Sequence, residues 1–383
     1  MPPPRIVTVS AFFASHNGGI ERVAGQINRQ LWLARCQVTW LASSEDEAPG
    51  SDNVSEVIPV ACWNPTERLL GLPMPLPGPK AVRDIARAVR ASDGVIIHDA
   101  LYVTSILALF CARFYRKPHI LVQHIGRIPF ANPLLRAILA LANGLVTQTM
   151  LRAAQHVVFI SDQVRRDLLG ARPKRAYHLV FNGVDHQLFR ADATHDREAI
   201  RRELAVPASK PLILFVGRLV EKKGLRIIEA IARARPQWYF ALAGAGPIRP
   251  QDWALDNVQL LGMLAPRRLA ELYRSADLLL LPSHGEGYPL VIQEALACGL
   301  PVICGEDSAA ADPNARAFLS GIKIDPRDTK GSAARSLAAI ELLLATPPDR
   351  AAMAAYAKAT YDWQVMAGRL LALLESRQAD GSG

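Results

Sequence analysis

The sequence predicts an α/β protein with two parallel-sheet domains in tandem. The chain has 383 residues, more than one ordinary domain holds, and 50% of them are hydrophobic, which is enough for two buried cores. Both halves alternate short β-rich runs with amphipathic stretches of helix length. That alternation is typical of parallel sheets flanked by helices.

Short apolar runs, five in each half, are the predicted strands. In the first half they are RIVTVSAF (5–12), QVTWLAS (37–43), GVIIHD (94–99), HILVQHI (119–125) and HVVFIS (156–161). In the second half they are PLILFVG (211–217), WYFALAG (238–244), VQLLG (258–262), ADLLLLPS (276–283) and LPVIC (300–304). Together they predict two Rossmann-like domains.

The domain boundary is predicted near residue 190. The stretch FRADATHDREAIRRELAVPASKP (189–211) is polar, poor in β-formers and closed by two prolines around Ala-Ser-Lys. We therefore expect one domain over residues 1–190 and a second over residues 191–383.

Charge is distributed unevenly between these halves. Residues 1–190 hold 21 Lys and Arg against 13 Asp and Glu, a net +8, whereas the remainder hold 23 against 22, a net +1. A basic first domain would attract an anionic membrane surface, lipid phosphate or nucleic acid. A merely soluble, arginine-rich surface explains the charge equally well. No RNP-like aromatic pattern, zinc spacing or recognition module is present, so no nucleic-acid partner is expected.

Compartment is inferred from cysteine use and the lack of long apolar runs. The five cysteines show no C-x-x-C spacing, which suits buried thiols in a reducing compartment. The first residues hold only a short apolar run, and LLRAILALANGLVTQTML (134–151) is too polar for a spanning helix. We expect a cytoplasmic protein, with peripheral attachment at the inner face of the cell membrane left open.

Two glutamates eight residues apart lie in HGEGYPLVIQEALACGLPVI (284–303). A helix is predicted from Pro289 to about Gly299, so Glu286 lies on the loop before it and Glu294 in its second turn. Their separation of roughly 8 Å matches the span from a ribose to a hexose across a diphosphate. Solvated surface acids are the alternative, which the position at a strand's carboxyl end disfavours.

Cations and glycines lie after other predicted strands. Arg218 and Lys223 come after PLILFVG and are able to clamp a diphosphate, whereas Lys222 is interpreted as a solvated loop lysine. Gly18 and Gly19 come after the first strand, a weak signal for phosphate approach that a plain tight turn also explains.

Two histidines end buried strands of the first half. His98 closes GVIIH and His124 comes directly after ILVQ. A packing or capping role is favoured for His98.

Together these motifs resemble the retaining GT-B glycosyltransferases of family 4, also called group 1, over nearly the whole chain. The matching stretches are GGIERV (18–23), VVFISDQVRRDLL (157–169), FNGVDHQLF (181–189), FVGRLVEKKG (215–224), ALAGAGP (241–247), NVQLLGMLAPRRLAELYRSADLLLLPS (257–283) and EGYPLVIQEALACGLPVI (286–303). The resemblance implies two Rossmann-like domains facing each other across a cleft. It also implies that a last helix at about 350–377 crosses back to the N-terminal domain.

The resemblance also implies residue roles. Glu286 faces the donor sugar and Glu294 binds the ribose, while His124 reaches the transferred sugar. The implied catalytic residues are Glu286, His124, Arg218 and Lys223. The implied donor-binding residues are Gly18, Gly19, Arg218, Lys223, Gly262, Met263, Glu286, Gly287, Leu290, Val291 and Glu294. Pro289 departs from the family's usual glycine and removes one amide, which shifts the expected sugar contacts to Leu290 and Val291.

The implied reaction is transfer of a hexosyl group with retention of configuration and no obligatory covalent intermediate. A UDP- or GDP-sugar is the expected donor, and because no D-x-D occurs, no metal cofactor is expected. The expected acceptor is a glycan or lipid-linked molecule of polysaccharide, lipopolysaccharide or glycolipid synthesis, although a soluble molecule fits nearly as well. It should contact the first domain at WNPTERLLGLPMPLPGP (63–79) and the stretch after GRIPFANP (126–133). A nucleotide-sugar epimerase and a catalytically inactive GT-B scaffold are the alternatives.

Overall fold

The computed structural model describes residues 2–16, 18–50, 54–65, 74–126, 141, 143–192 and 194–376. The chain divides into two compact units, the first formed by Met1–Asn182 with Trp363–Gly383 and the second by Gly183–Asp362. The division therefore falls after Asn182 rather than at residue 190. The physical reason is that Val184 and Phe189, both nearly fully buried, anchor the intervening residues in the second unit. Val184 donates its N–H to the carbonyl of Tyr361 at 3.0 Å.

The first unit contains a seven-stranded parallel sheet and a small antiparallel pair. Its strands are β1 (Arg5–Val9), β2 (Gln37–Ser43), β3 (Glu56–Val60), β4 (Cys62–Trp63), β5 (Leu76–Pro77), β6 (Gly94–His98), β7 (His119–Gln123), β8 (His156–Phe159) and β9 (His178–Leu179). The sheet order is β3-β2-β1-β6-β7-β8-β9, and β4 pairs with β5. All pairings in the large sheet are parallel, as the alternation of strands and helices predicts.

Helices cover this sheet. They are α1 (Gly19–Leu33), α2 (Pro79–Ala91), α3 (Val103–Phe114), α4 (Gln148–Ala153) and α5 (Asp162–Leu169), with a π-helical turn at Asn143–Thr147 before α4. One continuous hydrophobic core joins apolar residues of α2 to α5 with those of the strands, among them Ile85, Leu109, Leu151 and Leu168.

The second unit contains a six-stranded parallel sheet. Its strands are β10 (Leu212–Val216), β11 (Tyr239–Ala243), β12 (Val258–Gly262), β13 (Leu278–Leu281), β14 (Val302–Gly305) and β15 (Leu319–Ile322), in the order β12-β11-β10-β13-β14-β15. All four residues of β13 are fully buried. Strands covered on both faces read as unbroken apolar runs, which is why this one was predictable.

The helices of the second half of the chain continue the numbering. They are α6 (Arg197–Glu203), α7 (Leu225–Ala234), α8 (Pro266–Ser275), α9 (Leu290–Ala297), α10 (Glu306–Ala309), α11 (Thr329–Ala345), α12 (Arg350–Thr360) and α13 (Trp363–Glu375), with 3₁₀ turns at Ala14–His16, Glu221–Lys223, Pro250–Trp253 and Pro313–Ala317. Helices α6 and α8, α7 and α11, and α9 and α12 pack in pairs within the second unit.

The last two helices belong to different units. Helix α12 stays in the second unit, so the predicted segment 350–377 is not one returning helix. Only α13 belongs to the first unit, where it packs against α1 and β7. An ideal Cβ on Gly94 would lie 2.9 Å from Leu374 Cδ1, so the glycine that opens β6 makes room for α13.

Every run predicted as a strand contains one, but the sequence did not indicate β3, β4, β5, β9 and β15. Strands β4 and β5 have two residues each. Strand β9 has two residues, β15 includes a glycine, and β3 lies at the sheet edge with mostly exposed or half-buried side chains. Short or edge strands carry little apolar signal. Among the described residues, no helix is long and apolar enough to cross a membrane. Of residues 134–151, residues 134–140 and 142 lie outside the described ranges.

Candidate functional site

The order of strands in the second sheet reverses between β10 and β13. The chain leaves β10 toward β11 and β12 on one side and returns to β13 on the other. The loops at the carboxyl ends of the two central strands therefore emerge side by side, which is where open parallel sheets bind ligands. Arg218 and Lys223 lie on the loop after β10, and Glu286 lies on the loop after β13.

Lys223 and Glu286 form an ion pair at this point. Lys223 Nζ lies 2.8 Å from Glu286 Oε2, and the two side chains are only 14% and 13% exposed. A partly enclosed pair is screened less than a surface pair. The pair therefore holds both side chains in fixed positions while the ammonium keeps further donors for a ligand.

Lys222, interpreted from the sequence as a solvated loop lysine, is half-buried in the structure. Burial lowers its pKa, Glu286 acts in the opposite direction, and Lys223 and Arg218 lower it further. Lys222 therefore lies within electrostatic range of Glu286, Lys223 and Arg218. Three cations against one carboxylate leave the site with a net positive charge, as a diphosphate requires.

Close backbone contacts at two glycines hold the strand-end loops together. Gly224 has a φ of +76°, and an ideal Cβ on it would lie 2.2 Å from the carbonyl oxygen of Pro282. Gly244 has a φ of +144°, and its Cβ would lie 1.8 Å from the carbonyl oxygen of Gly217. Only glycine permits both the conformation and the contact. The loop carrying Arg218 and Lys223 consequently packs directly on its neighbours.

A buried chain of hydroxyl groups anchors the loop that carries Glu286. The hydroxyls of Tyr288 and Tyr361 are 2.7 Å apart, and Tyr361 donates to Asp312 Oδ2 at 2.6 Å. Since Tyr361 gives its proton to Asp312, it accepts from Tyr288. Tyr356 donates to the same carboxylate oxygen at 2.7 Å. Sequence reasoning missed this network, because no local pattern joins residues so far apart in the chain.

Helix α9 begins at Leu290, one residue later than predicted, and Pro289 is its N-cap. The first amides of the helix, those of Leu290 and Val291, have no partner within the helix and mark the positive end of its dipole. Glu294 lies half-buried in the second turn and accepts a hydrogen bond of 3.1 Å from the hydroxyl of Tyr273. Burial first, and then Glu294, raises the pKa of Tyr273, which therefore stays a donor.

The remaining predicted donor residues of this unit lie on the same sheet edge. Gly287 is half-buried on the loop before α9. Gly262 ends β12 with a φ of +69°, and its carbonyl accepts the N–H of Gly244 at 2.8 Å. Met263 comes next, with 75% of its surface exposed. These last two residues lie at the end of β12, two strands away from β10.

In the first unit the strand order reverses between β1 and β6, and two histidines lie beside this point. His98 Nδ1 and His124 Nε2 are 2.9 Å apart, and the side chains are 0% and 7% exposed. Burial lowers the pKa of His98 to about 3, and burial with His98 lowers the pKa of His124 well below its usual value. Both rings are neutral at pH 7. His98, predicted to have a packing or capping role, is fully buried and lies within hydrogen-bond distance of His124.

Asp99 is a buried acid that sequence reasoning did not single out. Its Oδ1 accepts hydrogen bonds from Gln123 Nε2 at 2.7 Å, His124 N at 3.2 Å and Ile125 N at 3.1 Å. Its Oδ2 is buried with no partner in the described part of the chain. Burial raises the pKa of Asp99 to about 7. An acid directly after the strand GVIIH was the only available signal.

Gly18 and Gly19 open helix α1 with different constraints. An ideal Cβ on Gly18 would lie 2.0 Å from Oε2 of Glu21, a buried residue whose pKa is raised chiefly by burial. At Gly19 a Cβ would meet nothing within 4 Å. Packing explains the first glycine, whereas the second borders open space.

Part of the predicted acceptor surface lies outside the described residues. Residues 66–73 belong to the proline-rich stretch, and residues 127–140 cover most of GRIPFANP and the seven residues after it. Within the described ranges, no three His, Cys, Asp or Glu residues lie close enough to hold a metal ion.

Two family models match the chain, one in each unit. The model described as Glycosyltransferase Family 4 matches residues 17–188, and the model described as Glycosyl transferases group 1 matches residues 196–360. Together the two matches cover nearly the whole chain.

Curated relatives are similar at moderate identity. An alpha-maltose-1-phosphate synthase of Mycolicibacterium smegmatis is 26% identical over 70% of this chain and 74% of its own length. A D-inositol 3-phosphate glycosyltransferase of Xylanimonas cellulosilytica is 32% identical over 51% of this chain, which spans about half (50%) of that relative. Among solved structures, Anabaena HepE in complex with UDP-glucose superimposes with a TM-score of 0.66 at 19% identity, covering 98% of this chain and 100% of that one. The last similarity supports the two-unit GT-B fold.

Proposed function

Because this chain belongs to the family 4, group 1 glycosyltransferases of GT-B fold, we propose that it is a retaining hexosyltransferase. It moves a hexosyl group from a nucleotide-diphosphate sugar to a glycan or lipid-linked acceptor. The observation that carries the proposal is the cluster of Arg218, Lys222 and Lys223 against the single carboxylate of Glu286. The cluster lies where the strand order of the second sheet reverses.

The donor diphosphate is held by cations in this proposal. Breaking the bond between the anomeric carbon and the diphosphate oxygen sends the electron pair to the diphosphate and leaves positive charge on the sugar ring. Arg218 and Lys223 stabilise the leaving group, and Lys222 adds to the local field. Preorganised charges of this kind are worth about 10²–10³ in rate each. No metal ion is required for that role.

The acceptor hydroxyl completes the reaction. Its oxygen bonds to the anomeric carbon from the face that the diphosphate leaves, and its proton passes to the departing diphosphate oxygen. Configuration is retained without an enzyme-bound intermediate. Glu286 binds the sugar and balances the ring's positive charge. His124 serves the transferred sugar as a neutral hydrogen-bonding group, since burial lowers its pKa and keeps it uncharged.

Nucleotide recognition falls to the same edge of the second sheet. Glu294, oriented by Tyr273, binds the ribose hydroxyls, and backbone at Gly262 and Met263 holds the base. The free amides at the start of α9 face the sugar end. A UDP- or GDP-sugar is proposed as donor, and the UDP-glucose complex of Anabaena HepE supports the first.

The acceptor is assigned to the first unit. The net charge of +8 in residues 1–190 favours an acceptor that carries phosphate or lies at an anionic membrane. The names of the two relatives contain a sugar phosphate and an inositol phosphate, which supports a phosphorylated acceptor. We propose a cytoplasmic location with peripheral contact to the inner face of the membrane.

A melting-temperature panel of nucleotide sugars tests the donor assignment. Binding to the native state alone raises stability by about 2.7 kcal/mol at a hundredfold excess over Kd. We expect one nucleotide class among UDP-, GDP- and ADP-sugars to raise the Tm of the wild-type protein and not that of Arg218→Ala.

Product analysis then separates the remaining functions. Transfer to an added acceptor supports the proposal. Interconversion of the nucleotide sugar without acceptor would show an epimerase. Binding without either reaction would show an inactive scaffold, and no response to any nucleotide sugar would exclude the donor site.

A further inference from the structure

We propose that the first unit carries a second anion site, separate from the donor site, that binds a phosphate-bearing group with two or more negative charges. The site is a cavity at the edge of the sheet where β7 and β8 begin. His124 and Asp99 lie at the opposite edge, where strands end. A five-residue strand separates the two edges by about 16 Å. The cavity is therefore separate from the proposed donor site.

The cavity has a volume of about 560 Å³, and five of its eleven lining residues are cations. Its charged lining comes from the end of α3 and the residues after it, the end of α4, and the segment before β9. These side chains are Arg113, Arg116, Lys117, Arg152 and Arg175. The volume falls within the range of about 300–1,000 Å³ usual for small-molecule sites.

The positive charge of this cavity is uncompensated. No Asp or Glu lines it, and the ion pairs within the described ranges include none of its five cations. Lys117 makes only a minor contribution to the lowered pKa of Asp93, because the carboxylate of Asp93 is paired with Arg5. His119 adds no charge, because burial first, with Arg113 and Arg175 also contributing, lowers its pKa.

Helix capping does not account for so many cations. Arg113 lies in the last turn of α3 and Arg152 in that of α4, where positive charge complements the helix dipole. Two helix C-termini supply about one negative charge in total, so about four of the five positive charges remain unbalanced. Such crowding costs stability unless an anion is bound.

Backbone carbonyls hold the cations in place. Arg113 Nη1 donates to the carbonyl of Ala153 at 2.7 Å, and Arg175 Nη2 donates to that of Ala154. Lys117 Nζ donates to the carbonyl of Ser92 at 2.6 Å. Each guanidinium has five N–H donors and uses one here, so most donors remain for a ligand. Planar forks of this kind bind phosphate bidentately.

An aromatic pair on the helix that contributes Arg113 to the cavity indicates the source of the phosphate. Phe110 and Phe114 on α3 stack with ring centroids 6.3 Å apart and are 68% and 71% exposed. The same helix contributes Arg113 to the cavity. Exposed aromatic rings next to cations suit the boundary between water and lipid. We therefore expect the phosphate of an anionic lipid headgroup, with a soluble phosphate ester as the other source.

Inorganic pyrophosphate in isothermal titration calorimetry tests the cavity. The wild-type protein should bind two equivalents, one in the cavity and one at the donor site. The double variant Arg116→Ala/Arg152→Ala should bind the cavity equivalent at least about tenfold more weakly, as loss of charge-assisted hydrogen bonds predicts. Arg29→Ala, which removes an exposed cation elsewhere in the same unit, should match the wild type. Arg218→Ala should keep the cavity equivalent, so that a missing donor site is distinguished from a missing cavity site.

Melting temperature separates ligand binding from a structural role. Without ligand, Arg116→Ala/Arg152→Ala should melt no lower than the wild type, because it relieves repulsion between like charges. A lower Tm together with unchanged pyrophosphate binding would assign these arginines to helix capping and overturn the proposal.

Vesicle co-sedimentation distinguishes the two sources. Vesicles of phosphatidylcholine with phosphatidylglycerol should bind the wild type, and both Phe110→Ala/Phe114→Ala and the cavity variant should lose that binding. Pyrophosphate binding without vesicle binding would support the same cavity with a soluble phosphate ester. The cavity variant could instead keep pyrophosphate binding and bind vesicles as well as Arg29→Ala does. In that case the general positive charge of the unit attracts anions, and the cavity is not a specific site.

Discussion

The two sheets reverse their strand order in the same way, yet the groups that lie there differ in charge. At β10 and β13 the side chains are partly exposed cations together with one carboxylate. At β1 and β6 they are buried histidines and acids. Topology alone explains why polar groups collect at both places, since the carboxyl ends of parallel strands share one edge.

Burial explains the difference. Lys223 and Glu286 are largely enclosed but compensate each other's charge as an ion pair. In the first unit, desolvation lowers the pKa of His98 and raises that of Asp99, so both groups favour their neutral forms. The second unit's edge therefore suits recognition of a charged diphosphate, and the first unit's edge suits directional hydrogen bonds without net charge.

Removing the ammonium of Lys223 should have the largest effect on this contrast. We expect Lys223→Ala to lower kcat by about 10²–10³, since it removes a preorganised counter-charge for the leaving group. Lys323→Ala, which removes an exposed lysine of the same unit, is the control. Near-normal turnover in steady-state assays of Lys223→Ala would contradict the clamp.

Loss of the Tyr361 hydroxyl should weaken the support of the charged edge. Tyr361→Phe removes a buried group that donates to Asp312 and accepts from Tyr288, at a cost of about 1–3 kcal/mol of unfolding free energy. Tyr356→Phe removes a less buried bond to the same aspartate and should cost less. Urea denaturation of both variants measures the difference. If Tyr361→Phe loses no more unfolding free energy than Tyr356→Phe, the chain of hydroxyls does not anchor the loop.

The neutral edge can be tested through pH. The pKa of Asp99 rises from its ordinary 3.8 to about 7 on folding, so below pH 3.8 the acid is protonated in both states. As pH rises from there to about 7, the unfolded chain releases a proton that the folded protein retains, and stability falls by at most about 1.4 kcal/mol per pH unit. Asp99→Asn should remove that decline, as measured by denaturation at several pH values. Asp252→Asn, at an exposed carboxylate, should leave the wild-type slope unchanged.

Gly19 should give the smallest change in stability. A Cβ there meets no atom within 4 Å, and the residue lies at the start of α1, so Gly19→Ala should leave Tm unchanged or raise it slightly. Turnover should nevertheless fall if this backbone approaches a phosphate. Unchanged kcat and KM would mean that the glycine belongs only to a turn.

The fold was largely predictable from the sequence, since the buried strands of both sheets read as apolar runs. β13 illustrates the reason, because four consecutive leucines are expected in a strand that is buried on both faces. The proximity of Lys223 and Glu286 was also predictable in kind, since both lie just after central strands. The boundary after Asn182 was not, because Val184 and Phe189 are apolar residues whose partners only the folded unit reveals.

Site details depended more strongly on packing. The sequence does not distinguish the surroundings of the adjacent lysines Lys222 and Lys223. Only the folded loop shows that both lie near Glu286. The bond between His98 and His124 joins residues 26 positions apart and depends on the pairing of β6 with β7.

The sequence by itself determined the two parallel sheets and the kinds of side chain at their carboxyl edges, because periodicity and strand-ending residues are local properties. Only the tertiary structure decided which of those side chains are buried and which are exposed to solvent, and therefore which of them carry charge. Burial is a sum over neighbours from distant parts of the chain, and it is burial that raises the pKa of Asp99 and lowers that of His98.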